Sequence, residues 1–354
     1  MTAPAMTSRP TAVRDRPTIA VVGATGLVGR TMLQVLIERG FPAREVRALA
    51  SARSAGTPLS VGGLDLTVAE ATGDAFEGVD IALFSAGAEQ STVLAPLAVE
   101  RGTVVIDNSS AWRMDPEVPL IVSQVNGDDL SWHKGIVANP NCSTMQLAPL
   151  LAALRDSVGL KRVIVDTYQS VSGTGSEAVE ELESQVRAYA AGEPLEAKVY
   201  PHQIAFNALP EIDVFLDNGY TREEWKVVAE SRKILHLPDL PVSCTAVRVP
   251  VFFAHSEAVH VETERPIGPT DARELFAAVA GVVVVDDPAS HSYPLAIDAA
   301  GRDEIFVGRV RGDVSLAQGH GIAFWVVSDN LRKGAATNAV EIAELVVQGG
   351  LLKR

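Results

Sequence analysis

The feature that most constrains the fold is a run of glycines near the start of the chain. Gly23-Ala24-Thr25-Gly26-Leu27-Val28-Gly29 follows a short apolar run, Thr18 to Val22, and opens a segment of helical periodicity, Gly26 to Glu38. Glycines spaced G-x-x-G-x-x-G let a strand turn sharply into a helix. They also let a pyrophosphate come close to the N–H groups at the helix start. A strand before and a helix after distinguish such a nucleotide turn from an ordinary βα turn. The alternation continues. Glu45 to Ser51, Asp80 to Ser85 and Thr103 to Asp107 read as strands, with a helix over Glu89 to Arg101. Short apolar strands separated by amphipathic helices predict an α/β fold with a Rossmann-type, doubly wound parallel sheet.

The end of the second strand bears on which nucleotide is bound. An Asp or Glu there would hold the ribose hydroxyls of NAD. The chain instead reads Ala50-Ser51-Ala52-Arg53-Ser54-Ala55-Gly56. Arg53, Ser51 and Ser54 offer a cation and two hydroxyls for a 2′-phosphate, which favours NADP. Ser85-Ala86-Gly87, after a later strand, is small enough to let the nicotinamide half pass close to the backbone.

Cys142 sits in Asn139-Pro140-Asn141-Cys142-Ser143-Thr144, where a loop becomes a helix running from Ser143 to Asp156. Unpaired N–H groups and the positive dipole end of a first turn favour a thiolate. Taken alone, a cysteine is as readily a small buried hydrophobe. Beside a nicotinamide it suggests thioester chemistry, in which an aldehyde is oxidised or an acyl group reduced.

After Cys142 the texture changes. Strand-like runs cover Arg162 to Val171, Val242 to Ala254, Ala258 to Thr263, Ile305 to Arg311 and Gly321 to Ser328. They predict an α+β second domain with a largely antiparallel sheet. A closing helix over Leu331 to Val347 can return to the first domain. The expected layout is a disordered tail over 1–17, a discontinuous nucleotide domain over 18–141 and 331–354, and a second domain over 142–330. At 354 residues and 47% hydrophobic the chain supports two such cores. The net charge of −14, with no basic stripe, argues against nucleic acid. Two cysteines far apart make no disulfide framework and suit a reducing cytoplasm. No apolar run is long enough for a membrane span, and no Cys/His spacing suggests a metal.

Taken together, the chain resembles the aspartate-semialdehyde dehydrogenase family. The resemblance rests on G-A-T-G-L-V-G, S-A-R-S-A-G, D-N-S-S-A-W-R-M-D, N-P-N-C-S-T, Y-Q-S-V-S-G-T-G, E-E-W-K, R-V-P-V and H-S-E-A-V, in that order over almost the whole chain. It implies a homodimer with a catalytic and dimerisation domain. The implied reaction is NADPH-dependent reductive dephosphorylation of L-aspartyl 4-phosphate to L-aspartate 4-semialdehyde, on the route to lysine, threonine and methionine. Cys142 is then the nucleophile, His255 the general acid/base, and Gln169 orients the acyl intermediate. Arg248 anchors the substrate α-carboxylate, and an Arg fork suits that task. Arg113 and Lys226 form the phosphate pair. Glu223, three residues before Lys226 on a helix over Thr221 to Leu235, meets the substrate ammonium, with Glu224 as the alternative. Ser172, Gly173 and Asn330 touch the cofactor, together with the glycine turn, Ser51, Arg53, Ser54 and Ser85. Cys244 shares strand parity with Arg248 and reads as a buried thiol. The competing enzyme reading is N-acetyl-γ-glutamyl-phosphate reductase, which has the same nucleophile. A non-catalytic NADP-binding paralogue would be expected to lose Cys142 or His255.

Overall fold

The computed structural model describes residues 16–317 and 319–352. The tail expected over 1–17 therefore lies outside the described residues, apart from Arg16 and Pro17. The first half supplies strands β1 (Thr18–Val22), β2 (Glu45–Ala50), β3 (Pro58–Val61), β4 (Leu64–Thr67), β5 (Ala69–Glu70), β6 (Ile81–Phe84), β7 (Val104–Asp107) and β8 (Ile136–Ala138). Except for the β3–β4 hairpin they form one parallel sheet in the order β5-β2-β1-β6-β7-β8. Helices α1 (Leu27–Glu38) and α2 (Ala88–Glu100) lie on opposite faces. The reason is the period of two in the strands. Ile19, Val21, Ile81 and Leu83 pack with Met32, Leu33 and Leu36 of α1, whereas Ala20, Val22, Ala82 and Phe84 pack with Leu94, Ala95 and Ala98 of α2.

The second half contributes β9 (Leu160–Gln169), β10 (Val242–Arg248), β11 (His255–Thr263), β12 (Val282–Val284), β13 (Ile305–Gly312) and β14 (Gly321–Ser328). Their order is β10-β9-β11-β14-β13-β12. The three central pairings are antiparallel, and the two outer ones, β10 with β9 and β12 with β13, are parallel. The helices after α2 are α3 (Ser123–Asn126), α4 (Cys142–Val158), α5 (Ser176–Ala191), α6 (Arg222–Ile234), α7 (Pro269–Ala277), α8 (Ala296–Ala299) and α9 (Asn338–Gln348). Leu147, Leu150, Leu151 and Leu154 of α4 are buried with Val163, Val165, Val259 and Val261 of this sheet. At about 1.5–3 kcal/mol for each buried leucine, this face anchors the helix that begins with Cys142.

Two expectations are corrected. The strand expected over Val242 to Ala254 ends at Arg248, because Pro250 cannot donate to a ladder and Ala254 turns back with φ 69°. The helix expected from Leu331 begins instead as a π-helical turn, Arg332–Thr337, before α9. Helix α9 does return to the first sheet, with Ala339, Val340, Ala343 and Val346 in the core that holds α1. Among the described residues no helix is long and apolar enough to cross a membrane.

Candidate active site

Strand ends of both sheets converge on one cleft of about 460 Å³. In the first sheet β1 has β2 on one side and β6 on the other, so chain direction splits there and a crevice opens beyond the C-terminal ends. Gly23 follows β1, Ser85 follows β6, Asn108 follows β7, and the loop to Cys142 follows β8. In the second sheet Arg248 pairs with Gln169 and His255 pairs with Ser328, which sets these four side chains in one row across the strand ends. The cleft is lined by Val28, Ser85, Arg113, Cys142, Gln169, Ser172, Gly173, Glu223, Lys226, Arg248 and Asn330, all singled out from sequence.

Cys142 is the first residue of α4, and Asn141 caps the helix by accepting from the N–H groups of Ser143 and Thr144. The helix start is thus where the sequence put it, but the thiolate expected there is not favoured. Burial, and then the Glu223 carboxylate, push the Cys142 thiol up to about 12 against the pull of Arg113, Arg248 and Lys226. Desolvation outweighs the helix end. His255 is moved the other way. Burial and the Arg248 guanidinium push its imidazole down to about 3, so the ring is neutral. The Ser170 N–H donates to its Nδ1 at 3.0 Å, which leaves the ring proton on Nε2. Nε2 is buried and has no hydrogen-bond partner of its own.

Glu223 is the hub of the polar groups. Its Oε1 accepts from Asn141 Nδ2 at 2.8 Å and from Gln169 Nε2 at 3.1 Å, and its Oε2 accepts from Lys226 Nζ at 3.0 Å. Despite its burial, these partners hold its carboxyl down at about 2. Glu224, one residue on, belongs to the capping box of α6. Its Oε2 accepts from Thr221 N–H and its Oε1 from Ala246 N–H, away from the cleft. Lys226 also reaches Asp213 at 3.0 Å. Arg248 donates from NH1 to Ser170 O at 2.7 Å, and its Nε is buried and unpartnered. Arg113 is held from three sides, by Glu230 Oε1 at 2.9 Å, Asn139 O at 2.9 Å and Asn108 O at 2.7 Å. Cys244 is buried in the apolar core under α4, and burial raises its thiol well above the ordinary value.

The turn at the other end of the cleft fits a nucleotide. Gly23 has φ +81°, and a Cβ there would lie 2.3 Å from Ser85 O. One on Gly29 would lie 2.2 Å from Gly23 O. Gly26 caps α1 with no side-chain hydrogen bond, and the first turn has no acidic residue. The Gly26 N–H donates to Gly23 O at 3.1 Å, and the first turn beyond it, opening at Leu27, presents a positive helix end, as an anion requires. Ser51, Arg53 and Ser54 lie beyond this turn, on a short 3₁₀ turn after β2 that is exposed at Arg53. They do not line the central cleft.

Sequence reading missed several residues that the geometry brings in. Asn141 both caps α4 and holds Glu223. Glu230 ties down Arg113 and accepts from Asn141 N–H at 2.6 Å. Asn108 lines the cleft with both amide atoms buried and unpartnered. The N-cap preference of Asn ahead of a helical run was a readable signal for the first. The other two depend on contacts across long stretches of chain.

Comparison with known proteins agrees with this architecture. Two family models match, "Semialdehyde dehydrogenase, NAD binding domain" over residues 18–133 and "Semialdehyde dehydrogenase, dimerisation domain" over residues 151–333. The chain is 53% identical over 338 residues to an aspartate-semialdehyde dehydrogenase of Aquifex aeolicus, covering 94% of this chain and 99% of that one. It is 51% identical over 334 residues to that of Bacillus subtilis, covering 92% and 96%. The crystal structure of aspartate semialdehyde dehydrogenase II of Vibrio cholerae complexed with ASA superposes with a TM-score of 0.91 at 46% identity, covering 94% of this chain and 98% of that one. With a nucleotide turn, a cysteine at the first position of a helix and relatives matched over nearly their whole length, the chain belongs to the aspartate-semialdehyde dehydrogenase family.

Proposed function

We propose that the protein catalyses the NADPH-dependent reductive dephosphorylation of L-aspartyl 4-phosphate to L-aspartate 4-semialdehyde, reversibly and through a thioester on Cys142. The observation that carries this reading is the set of charges around the thiol. Arg248 and Glu223 suit an α-carboxylate and an α-ammonium, while Arg113 and Lys226 suit a phosphate, all lining one cleft. Cys142 attacks the acyl carbon, the carbon–oxygen bond to phosphorus breaks, and the thiol proton ends on the departing phosphate. Arg113 and Lys226 stabilise that leaving group. The substrate ammonium pairs with Glu223 and cancels the carboxylate that holds the thiol up, so substrate binding itself favours the nucleophilic form. His255 Nε2–H donates to the acyl oxygen, and Gln169 holds the thioester in place. A nicotinamide nucleotide held by the glycine turn, Ser85, Ser172, Gly173 and Asn330 would supply hydride chemistry at the acyl carbon. The carbon–sulfur bond then breaks, releasing the semialdehyde and returning the Cys142 sulfur as thiolate.

Arg53 with Ser51 and Ser54 favours NADP over NAD, since a 2′-phosphate meets a cation and no carboxylate at the end of β2. The glycine turn, Ser85, Ser172, Gly173 and Asn330 form the rest of the cofactor path. We take residues 18–141 with 331–354 as the nucleotide domain and 142–330 as the catalytic and dimerisation domain. A homodimer in the cytoplasm fits the outer face of the second sheet. There the Tyr168 and Trp325 rings meet, tilted, at 5.5 Å, and Leu295 is exposed beside Trp325.

The test is phosphate-dependent reduction of NADP with L-aspartate 4-semialdehyde, set against N-acetyl-L-glutamate 5-semialdehyde. An acetylated nitrogen is a neutral amide and adds no positive charge for Glu223 to meet beyond Lys226. Activity with the free amine and little with the acetylated substrate is expected. Preference for the acetylated compound would sink the assignment.

A further inference from the structure

We propose that Gly334 is a positioning residue for the nucleophile, a bare backbone position that fixes where the Cys142 side chain can lie. This rests on the reading of Cys142 as the nucleophile. Gly334 lies inside the π-helical turn Arg332–Thr337 and lines the cleft. Its φ is not positive, so its backbone does not require glycine. In a helical segment glycine costs about 0.5–1 kcal/mol relative to alanine, and a reason for it must be sought among its neighbours. The neighbour is Cys142. A Cβ on Gly334 would stand 3.0 Å from Cys142 Cβ, 3.3 Å from its Cα and 3.4 Å from its carbonyl oxygen. The first two are tighter than ordinary van der Waals contact, the third lies at its edge, and all belong to one residue.

Neither side of this contact is free to retreat. On the glycine side, Arg332 is paired with Asp303 at 2.9 Å, and Lys333, 1% exposed, with Glu341 at 2.8 Å. Asn139, three residues before Cys142, donates from Nδ2 to Ala335 O at 3.2 Å and accepts from Asn338 Nδ2, so the turn and the nucleophile loop are bolted together. On the cysteine side, α4 is capped by Asn141 and buried along its leucines. Turning the thiol does not relieve contacts made to Cβ, Cα and the carbonyl oxygen, so an added methyl group is accommodated only by a shift of a few tenths of an ångström at the first residue of α4. A π-helical turn is an irregular, strained device that recurs at functional sites. Here it brings a glycine against the reactive residue.

Displacing a nucleophile by a fraction of an ångström to 1 Å lowers turnover by roughly ten- to a hundredfold. The experiment compares Gly334→Ala with wild type for turnover, for the KM of semialdehyde and phosphate, for NADP affinity and for the rate of Cys142 alkylation by iodoacetamide. The expected result is turnover lower by at least about tenfold and an altered alkylation rate, with KM values and NADP affinity within about twofold. A stability cycle accompanies it, with Gly334→Ala made also in a Cys142→Gly background, where the tightest contact is gone. The loss in Tm should shrink there, and if the single variant fails to fold the double variant should recover. Wild-type turnover in Gly334→Ala overturns the proposal, and so does an equal loss of stability, or failure to fold, in both backgrounds. Should Cys142→Ser itself keep turning over, the nucleophile assignment fails, a result distinct from either.

Discussion

Asn141 joins two functions in one side chain, and its replacement separates them. Its Oδ1 accepts from Ser143 N–H at 3.0 Å and Thr144 N–H at 3.4 Å, and losing such a cap costs about 0.5–2 kcal/mol. Its Nδ2 donates to Glu223 Oε1 at 2.8 Å, and a hydrogen bond to a charged group contributes about 1.5–3 kcal/mol. Asn141→Ala should therefore lose about 2–5 kcal/mol, by a similar amount across the neutral range because Glu223 stays ionised. Asn141→Asp keeps the cap but sets a second carboxylate against Glu223. Two buried carboxylates in contact cannot both ionise, so one takes up a proton. The aspartate variant should then be close to wild type near about pH 5 and fall progressively behind it towards about pH 8, since its folded state binds the extra proton. Urea unfolding midpoints of the three proteins across that range, at unchanged slope, provide the comparison. If the aspartate and alanine variants lose the same stability at every pH, the bond from Asn141 to Glu223 contributes nothing and the reasoning fails.

Arg53→Ala should raise the KM for NADP far more than that for NAD, and equal changes would make Arg53 a surface charge. Arg113→Ala should cost about 3–5 kcal/mol as well as phosphate affinity, because it leaves Glu230 buried without its cation. Lys226→Ala should weaken apparent phosphate affinity and also lower Tm, because Lys226 is the cation that keeps buried Glu223 ionised, and an unchanged phosphate affinity would leave Lys226 only that structural role. Stability should also fall at both pH extremes. Glu223, held down at about 2, loses its contribution as pH drops below the ordinary carboxylate value, and His255, pushed down to about 3, resists the proton that the unfolded chain takes up below about 6.5. Glu257 is fully buried and pushed up to about 8 by desolvation, so it opposes folding increasingly as pH rises from the ordinary value to 8. Glu257→Gln should flatten that alkaline decline in urea titrations, and an unchanged slope would show that Glu257 is ionised throughout.

What could be read from sequence was set by short-range physics. The strands Thr18–Val22 and Gly321–Ser328 stand where their apolar runs predict, because glycine and polar residues bound short continuous runs that are buried almost throughout. The glycine turn was legible because its steric demands are local. The hairpin β3–β4 was missed, although Gly62 and Gly63 both take positive φ at its turn, since neither strand has a strong apolar pattern. Helix α5 was missed for a related reason. It buries only Ala178, Glu181, Leu182 and Gln185, two of them polar, so no apolar stripe marks it. At the site, residue types and spacings pointed to the cysteine and its cations, but pairings did not follow from them. That Glu230 holds Arg113 across 117 residues, or that Glu224 faces a strand while Glu223 faces the cleft, depends on helix phase and sheet register. The state of the Cys142 thiol was misread because the helix end is visible in sequence and burial is not.

The central claim is a covalent acyl group on Cys142. Mixing the protein with L-aspartate 4-semialdehyde and NADP in the absence of phosphate, quenching in acid and mapping peptides by mass spectrometry tests it directly. The account predicts a burst of about one NADPH per chain and an aspartyl thioester on the peptide carrying Cys142, cleared when phosphate is added. Steady turnover with phosphate, but with no burst and no acyl group on that peptide, would contradict it.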